Sequence, residues 1–281
     1  MMGKKWLRSI TVLAIASFLI AGCSSSKESS GEAADSDKTI RISFNPGPYN
    51  DQFKKGVAPS LEEKGYTIEY TEFTDGIQPN IAVANGELDA NAHQHTFYLD
   101  SINKREKLQL TGAVQVPTPP MGLYSQKHKS LDEVIKGAQV NVPNEPPNLL
   151  RALTLLQDIG WITIKENIDP LQATINDVVS NPNQLDFVMT DPAQGPRALE
   201  DVDYAAIQGN FAVANHMKLT EALALEKMTD QNVVIVAVDE KNLDKPFVKD
   251  LIEAYHSKDF KEYILSNPDY EGYHLPDYFN E

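Results

Sequence analysis

Residues 40–64 read IRISFNPGPYNDQFKKGVAPSLEEK, and their order decides the fold class. Ile40, Ile42 and Phe44 alternate with Arg41 and Ser43 at the period of a half-buried strand. Asn45-Pro46-Gly47-Pro48 then breaks the pattern with loop residues. From Gln52 to Lys64 the apolar positions Phe53, Val57 and Leu61 fall four apart, on one helical face. Strand, loop and helix in that order open an α/β lobe.

The alternation continues outward from this unit. Further strands are expected at 67–73, 88–92, 138–142, 185–190, 204–208 and 233–238, the last apolar throughout and so buried on both faces. Helical patterns fall at 78–84, 96–104, 131–135, 147–159, 192–199, 247–255 and 258–265. Two such α/β sets predict two lobes, a discontinuous lobe I (39–126 plus 228–281) and lobe II (127–227). Ligands of open α/β sheets bind beyond the carboxyl ends of the strands, so a cleft between lobes is the expected site. Two lobes with a cleft between them resemble a type II periplasmic-binding-protein-like architecture, which is the fold class expected.

The N-terminus says where such a protein works. Lys4, Lys5 and Arg8 precede an apolar run from Ile10 to Ile20, too short for the ~20 residues of a membrane span, so 1–22 reads as a signal peptide. Ile20-Ala21-Gly22-Cys23 resembles a bacterial lipobox, which implies that Cys23, the only cysteine, becomes the diacylated N-terminus. Each buried acyl methylene contributes about 0.8 kcal/mol to membrane anchoring. Residues 23–38 are rich in Ser, Ala, Gly and charge and read as a flexible tether. Loss of 1–22 lowers Lys+Arg from 25 to 22 against 40 Asp+Glu, so the formal charge moves from −15 to −18. That balance opposes binding to nucleic acid and electrostatic adhesion to anionic lipid.

Four motifs carry a family resemblance. They are Asp89-Ala90-Asn91-Ala92-His93-Gln94-His95-Thr96-Phe97-Tyr98-Leu99, Met121 to Ser125, Val142 to Leu153, and Pro196 to Asp203. The first resembles the "DANAFQHxPYL" segment of the NlpA family, substrate-binding lipoproteins of methionine ABC importers, and the order of motifs is kept from about Thr39 to Tyr255. The resemblance implies an extracytoplasmic, lipid-anchored, monomeric protein. It would bind methionine, a related amino acid or a dipeptide, and deliver it to a permease with a cytoplasmic ATPase. No cofactor is implied.

A free amino acid presents a carboxylate, an ammonium and a side chain. Arg151 suits the carboxylate, because it lies in the first turn of the helix expected at 147–159, where free N–H groups, the helix dipole and a guanidinium all favour an anion. Asn148 in the same turn offers a donor and an acceptor. The resemblance adds His95 as a hydrogen-bonding pocket residue and Tyr98 as a lining one. Methionine-binding members place a Tyr in "DYV" and a Phe in "AFQH"; here those positions are Gly76 and His93. The Asn of "VINxxYA" becomes Gln208, and Asn210 is counted with the site. Two missing rings, each burying on the order of 150 Å², forfeit a few kcal/mol of apolar contact and favour a bulkier or more polar guest.

His93 and His95 could direct two imidazoles to one face of a strand, which makes a metal-ion receptor the alternative within binding functions; the sequence places no third ligand. A non-transport adhesin or structural lipoprotein is the alternative from another class. An enzyme is not expected, since no G-x-S-x-G, Gly-rich phosphate loop, H-E-x-x-H or cysteine nucleophile occurs in the folded part.

Overall fold

The computed structural model describes residues 38–281. The expected signal peptide, the lipidated Cys23 and all of the tether but Lys38 lie outside the described residues. Twelve strands follow in order: β1 (Thr39–Phe44), β2 (Thr67–Glu72), β3 (Ala90–His95), β4 (Leu110–Gln115), β5 (Gly122–Tyr124), β6 (Gln139–Pro143), β7 (Thr163–Ile164), β8 (Val178–Ser180), β9 (Asp186–Thr190), β10 (Tyr204–Ile207), β11 (Ala224–Leu225) and β12 (Val234–Asp239). They form two five-stranded mixed sheets, β2-β1-β3-β12-β4 and β11-β5-β10-β6-β9, and a small β7-β8 pair. The result is the expected two-lobed α/β fold.

The first sheet is built on the opening stretch. Ile40, Ile42 and Phe44 share one face of β1 and pack on Phe53, Val57 and Leu61, all nearly inaccessible to solvent, with Val248, Leu251 and Phe260 completing the layer. Full burial of each such side chain contributes roughly 1.5–3 kcal/mol. Between Pro48–Gln52 and Ala58–Glu63 the helix widens into a π turn at Phe53–Val57. Pro59 lacks an N–H and its ring crowds the Lys55 carbonyl, which accounts for a departure from regular α geometry there. Gly56 lies where a Cβ would stand 2.7 Å from the Phe260 ring, so only glycine admits this approach. β12 is buried at all six positions, as its apolar run requires, and runs antiparallel between β3 and β4.

The second sheet is covered by the helix Pro146–Asp158. Its Leu149, Leu153 and Leu156 pack with Val140, Val142, Trp161 and Tyr204. The chain crosses between sheets twice, through 116–121 and 226–233.

Several expectations shift. The strand expected at 88–92 occupies Ala90–His95, because Gln94 and His95 pair with Ile235 and Val234. The chain enters the second sheet by Gly122, ahead of the expected 126/127 division, since β5 pairs antiparallel with β10. The helix expected at 131–135 is a single 3₁₀ turn, Leu131–Glu133, and that at 192–199 is a 3₁₀ turn followed by Gly195–Ala198. β4, β5, β11 and the helix Gly209–Ala214 had no expectation; each is short or contains glycine, and their identity comes from pairing rather than local pattern.

Candidate functional site

A narrow cavity lies between the two sheets and leaves about 610 Å³ free of protein atoms, part of it open to solvent. Gly76, His93, His95, Tyr98, Asn148, Arg151, Gln208 and Asn210, the residues expected from sequence, all line it. They arrive on different elements. His93 and His95 stand two apart on β3 and so share a face. Tyr98 lies in the first turn of the helix Thr96–Glu106, for which His95 is the N-cap: the Tyr98 N–H donates to His95 Nδ1 at 3.3 Å. Asn148 and Arg151 stand three apart on the helix Pro146–Asp158, and Glu145 is its N-cap residue.

Hydrogen bonds join these groups across the cleft. Because His95 Nδ1 accepts, Nε2 carries the proton and donates to Asn148 Oδ1 at 3.0 Å. Burial, helped by the Arg151 charge, pushes the His95 pKa down to about 3, so the ring is neutral at ordinary pH. Asn148 Nδ2 donates to Glu145 Oε2 at 2.7 Å, and Tyr98 Oη donates to Glu145 Oε1 at 3.0 Å. Burial raises the Glu145 pKa against the lowering effect of these two donors, and burial beside Glu145 keeps the Tyr98 hydroxyl protonated. Two of these bonds, His95 to Asn148 and Tyr98 to Glu145, connect the first sheet to the second.

Arg151 stands differently from the bare clamp suggested by its position. Its Nε donates to Glu226 Oε2 at 3.0 Å and its Nη2 to Glu226 Oε1, both side chains being buried. Its Nη1 donates to Asn148 Oδ1 at 3.3 Å. A guanidinium has five N–H groups, and three are thereby engaged. The two others have no partner among the described residues, and the charge of the group is already balanced by Glu226. Burial opposes the arginine's charge, but Glu226 more than offsets it and the pKa is raised. Glu226 also accepts from the Met121 N–H at 2.6 Å, so the pair is fastened to both crossing segments.

The other end of the cavity is set by Gly76. A Cβ there would overlap the Tyr98 hydroxyl, so the loss of a side chain at position 76 does not simply open the cage: Tyr98 fills part of the space. His93 Nε2 lies 3.3 Å from the Gly76 carbonyl oxygen. A carbonyl only accepts, so Nε2 carries the proton and Nδ1 is bare; that atom is buried without a hydrogen-bond partner among the described residues. Burial lowers the His93 pKa to about 4. Behind this wall, the buried amides of Asn80, Asn91 and Gln94 bond one another, and Asn80 Nδ2 donates to Gly76 O at 3.1 Å. They hold the loop that carries Gly76 in place.

Sequence reasoning missed Asn45, Tyr49, Thr118, Glu145 and Asp191, which also line the cavity, and Glu226 behind it. Glu145 had a readable signal, three residues before Asn148 at a helix start; Glu226, 75 residues from Arg151, had none. Among the described residues, no group of three or more His, Cys, Asp or Glu side chains converges as metal ligands. His93 and His95 face Gly76 O and Asn148 instead. No helix among these residues is long and apolar enough to cross a membrane.

Comparison with known proteins identifies the family. The D-methionine-binding lipoprotein MetQ of Escherichia coli (strain K12) is 33% identical over 251 residues, which cover 88% of this chain and 90% of the relative. A nutrient binding protein from Burkholderia cenocepacia, solved bound to methionine, is 37% identical with a TM-score of 0.79, over 84% of this chain and 99% of that one. Protein PG110 from Staphylococcus aureus is 30% identical with a TM-score of 0.78, over 84% of this chain and 94% of that one. The sequence pattern of the NlpA lipoprotein family matches residues 40–278, and this chain belongs to that family.

Proposed function

We propose that this chain captures a small amino-acid-like zwitterion between its two lobes and delivers it to the permease of an ABC importer. A substrate-binding lipoprotein role follows from the family and from relatives named for methionine binding. The finer reading rests on one observation: a guanidinium and a carboxylate, Arg151 and Glu145, flank Asn148 and bond to its two ends. That arrangement can receive a carboxylate on one side and an ammonium on the other. Asn148, His95 and Tyr98 fix the spacing between the two charged groups. Gln208 and Asn210 close the second-sheet wall, while Gly76 and His93 shape the space for the guest's side chain.

Capture is coupled to closure. The sheets act as lobes that rotate about 116–121 and 226–233, and a guest favours the closed state only by its differential contacts with both sides. Anchoring through Cys23 would keep the receptor at the outer face of the cell membrane, as a monomer, within reach of the permease and its cytoplasmic ATPase. The chain is read as a receptor that releases its guest unchanged.

Calorimetric titration with a panel of free amino acids tests the assignment. Arg151→Ala should weaken every carboxylate guest by about 2–5 kcal/mol, much of it from leaving buried partners unpaired. Unchanged affinity would remove Arg151 from the site.

A further inference from the structure

The far end of the cavity tells what the guest's side chain must carry. The buried donors around His93 already have partners: His93 Nε2–H has Gly76 O, the Tyr98 hydroxyl has Glu145, and the Asn80 and Gln94 amides have each other. Acceptors remain. His93 Nδ1 is buried with its lone pair unmatched, and Asn45 Oδ1 and Gln208 Oε1 are bare acceptors elsewhere on the lining. A buried acceptor left unmatched is costly, so a guest that supplies the missing proton is favoured over one that does not.

We propose that His93 determines specificity and that the guest carries an N–H or O–H donor, remote from its carboxylate, which His93 Nδ1 accepts. This rests on the amino-acid reading of the Arg151 end. His95, bonded to the same Asn148 oxygen as Arg151, lies two residues from His93 along β3. At about 3.3 Å per residue, the His93 and His95 positions lie roughly 6–7 Å apart along the strand. A side chain of four or five atoms tipped with an amide or amine spans that distance, as does a short dipeptide with its ammonium at the far end. A thioether of equal length reaches His93 with nothing to donate. The aromatic edges of His93 and Tyr98, 6.5 Å apart by centroid, still give such a chain apolar contact, so methionine is disfavoured rather than excluded.

Titration of the full folded domain with methionine, glutamine, lysine and glycine-led dipeptides tests this. At least one donor-tipped guest should bind ten-fold or more tighter than methionine, and the arm that wins identifies an amino acid or a peptide. His93→Phe keeps an aromatic wall without the acceptor and should erase that preference, raising methionine relative to the donor-tipped guest. His93→Asn keeps one donor for Gly76 O and one acceptor for the guest, and should retain most of it. Methionine binding as tightly as all the others in the unaltered chain, or a ratio unmoved by His93→Phe while His93→Asn remains folded, overturns the assignment. If circular dichroism shows a folded chain and none of the panel binds, the amino-acid reading itself fails. Binding without preference sinks only the role of His93.

Discussion

At one end of the cavity Arg151 meets Glu226 in a buried two-bond pair anchored to the Met121 backbone, while at the other His93 leaves one ring nitrogen bare behind a glycine. The first end is balanced without a guest: its charges cancel and its orientation is fixed, while two N–H groups of the guanidinium stay free. The second holds a buried acceptor without a partner, because the only N–H of the His93 ring faces Gly76 O. On the proposed reading, the receptor recognises what all its guests share at the rigid end and discriminates among them at the unsatisfied one. Preorganisation lowers the ordering cost of binding, whereas an unmatched polar atom penalises the wrong guest.

The most severe way to break this contrast is to remove one member of the buried pair. Glu226→Ala leaves a guanidinium buried without its counter-charge, and should destabilise the fold by about 3–5 kcal/mol, read by denaturant unfolding. Replacement of both partners by apolar residues of similar volume should cost far less, because the loss in the single variant comes from the orphaned charge. If Glu226→Ala unfolds like the unaltered chain, the pair is not the fixed element assigned to that end.

Acid provides the next largest effect. His95 is neutral in the folded chain, with its pKa pushed by burial, then by Arg151, from 6.5 to about 3. Below pH 6.5 the unfolded chain therefore binds more protons than the folded one. The contribution is full above about 6.5 and is lost as pH falls toward 3. At pH 5 the loss from this one imidazole is about 2 kcal/mol. His93, lowered to about 4, acts in the same direction, while Glu145, raised by burial, acts in the opposite one. Thermal unfolding at pH 7 and pH 5 should show a drop that His95→Gln reduces; an equal drop in both proteins would place the acid sensitivity elsewhere.

The two ends were unequally legible from the sequence. Asn148 could be placed because a proline-started helix puts its first turn at a strand end; Arg151, expected in that turn, falls in the second because the helix starts at Pro146. Strand, loop and helix were readable from Ile40 to Lys64 by their periods. The six apolar positions from Val233 to Val238 likewise announced a central strand, and β12 is one. What pairs with what was not readable. β5 and β11 are three and two residues long, and only their register against β10 and each other places them in the second sheet. Glu226 belongs to the site because that register brings it back to Met121, and nothing local to Leu225-Glu226-Lys227 says so. Gly76 was legible as a lost side chain, but not as the space taken by Tyr98, which depends on the angle of a helix from another part of the lobe.

The smallest expected effect sharpens the contrast from the Tyr98 side. Tyr98→Phe keeps the ring against Gly76 and removes one donor from Glu145, so the His93 wall should persist while a single cross-cleft bond is lost. One hydrogen bond contributes about 0.5–1.5 kcal/mol net, somewhat more when the acceptor is charged. The bond joins the two sheets, so its loss should favour the open arrangement and weaken all guests to a similar degree, roughly three- to ten-fold in calorimetry. Glu145 would also lose one of the two donors that hold its pKa down, and its protonation should begin at higher pH than in the unaltered chain. A uniform loss across methionine, glutamine and lysine assigns Tyr98 to closure. A loss confined to one of them would instead make the hydroxyl part of the discriminating end, and the division between a preset fork and an unsatisfied wall would have to be redrawn around Glu145.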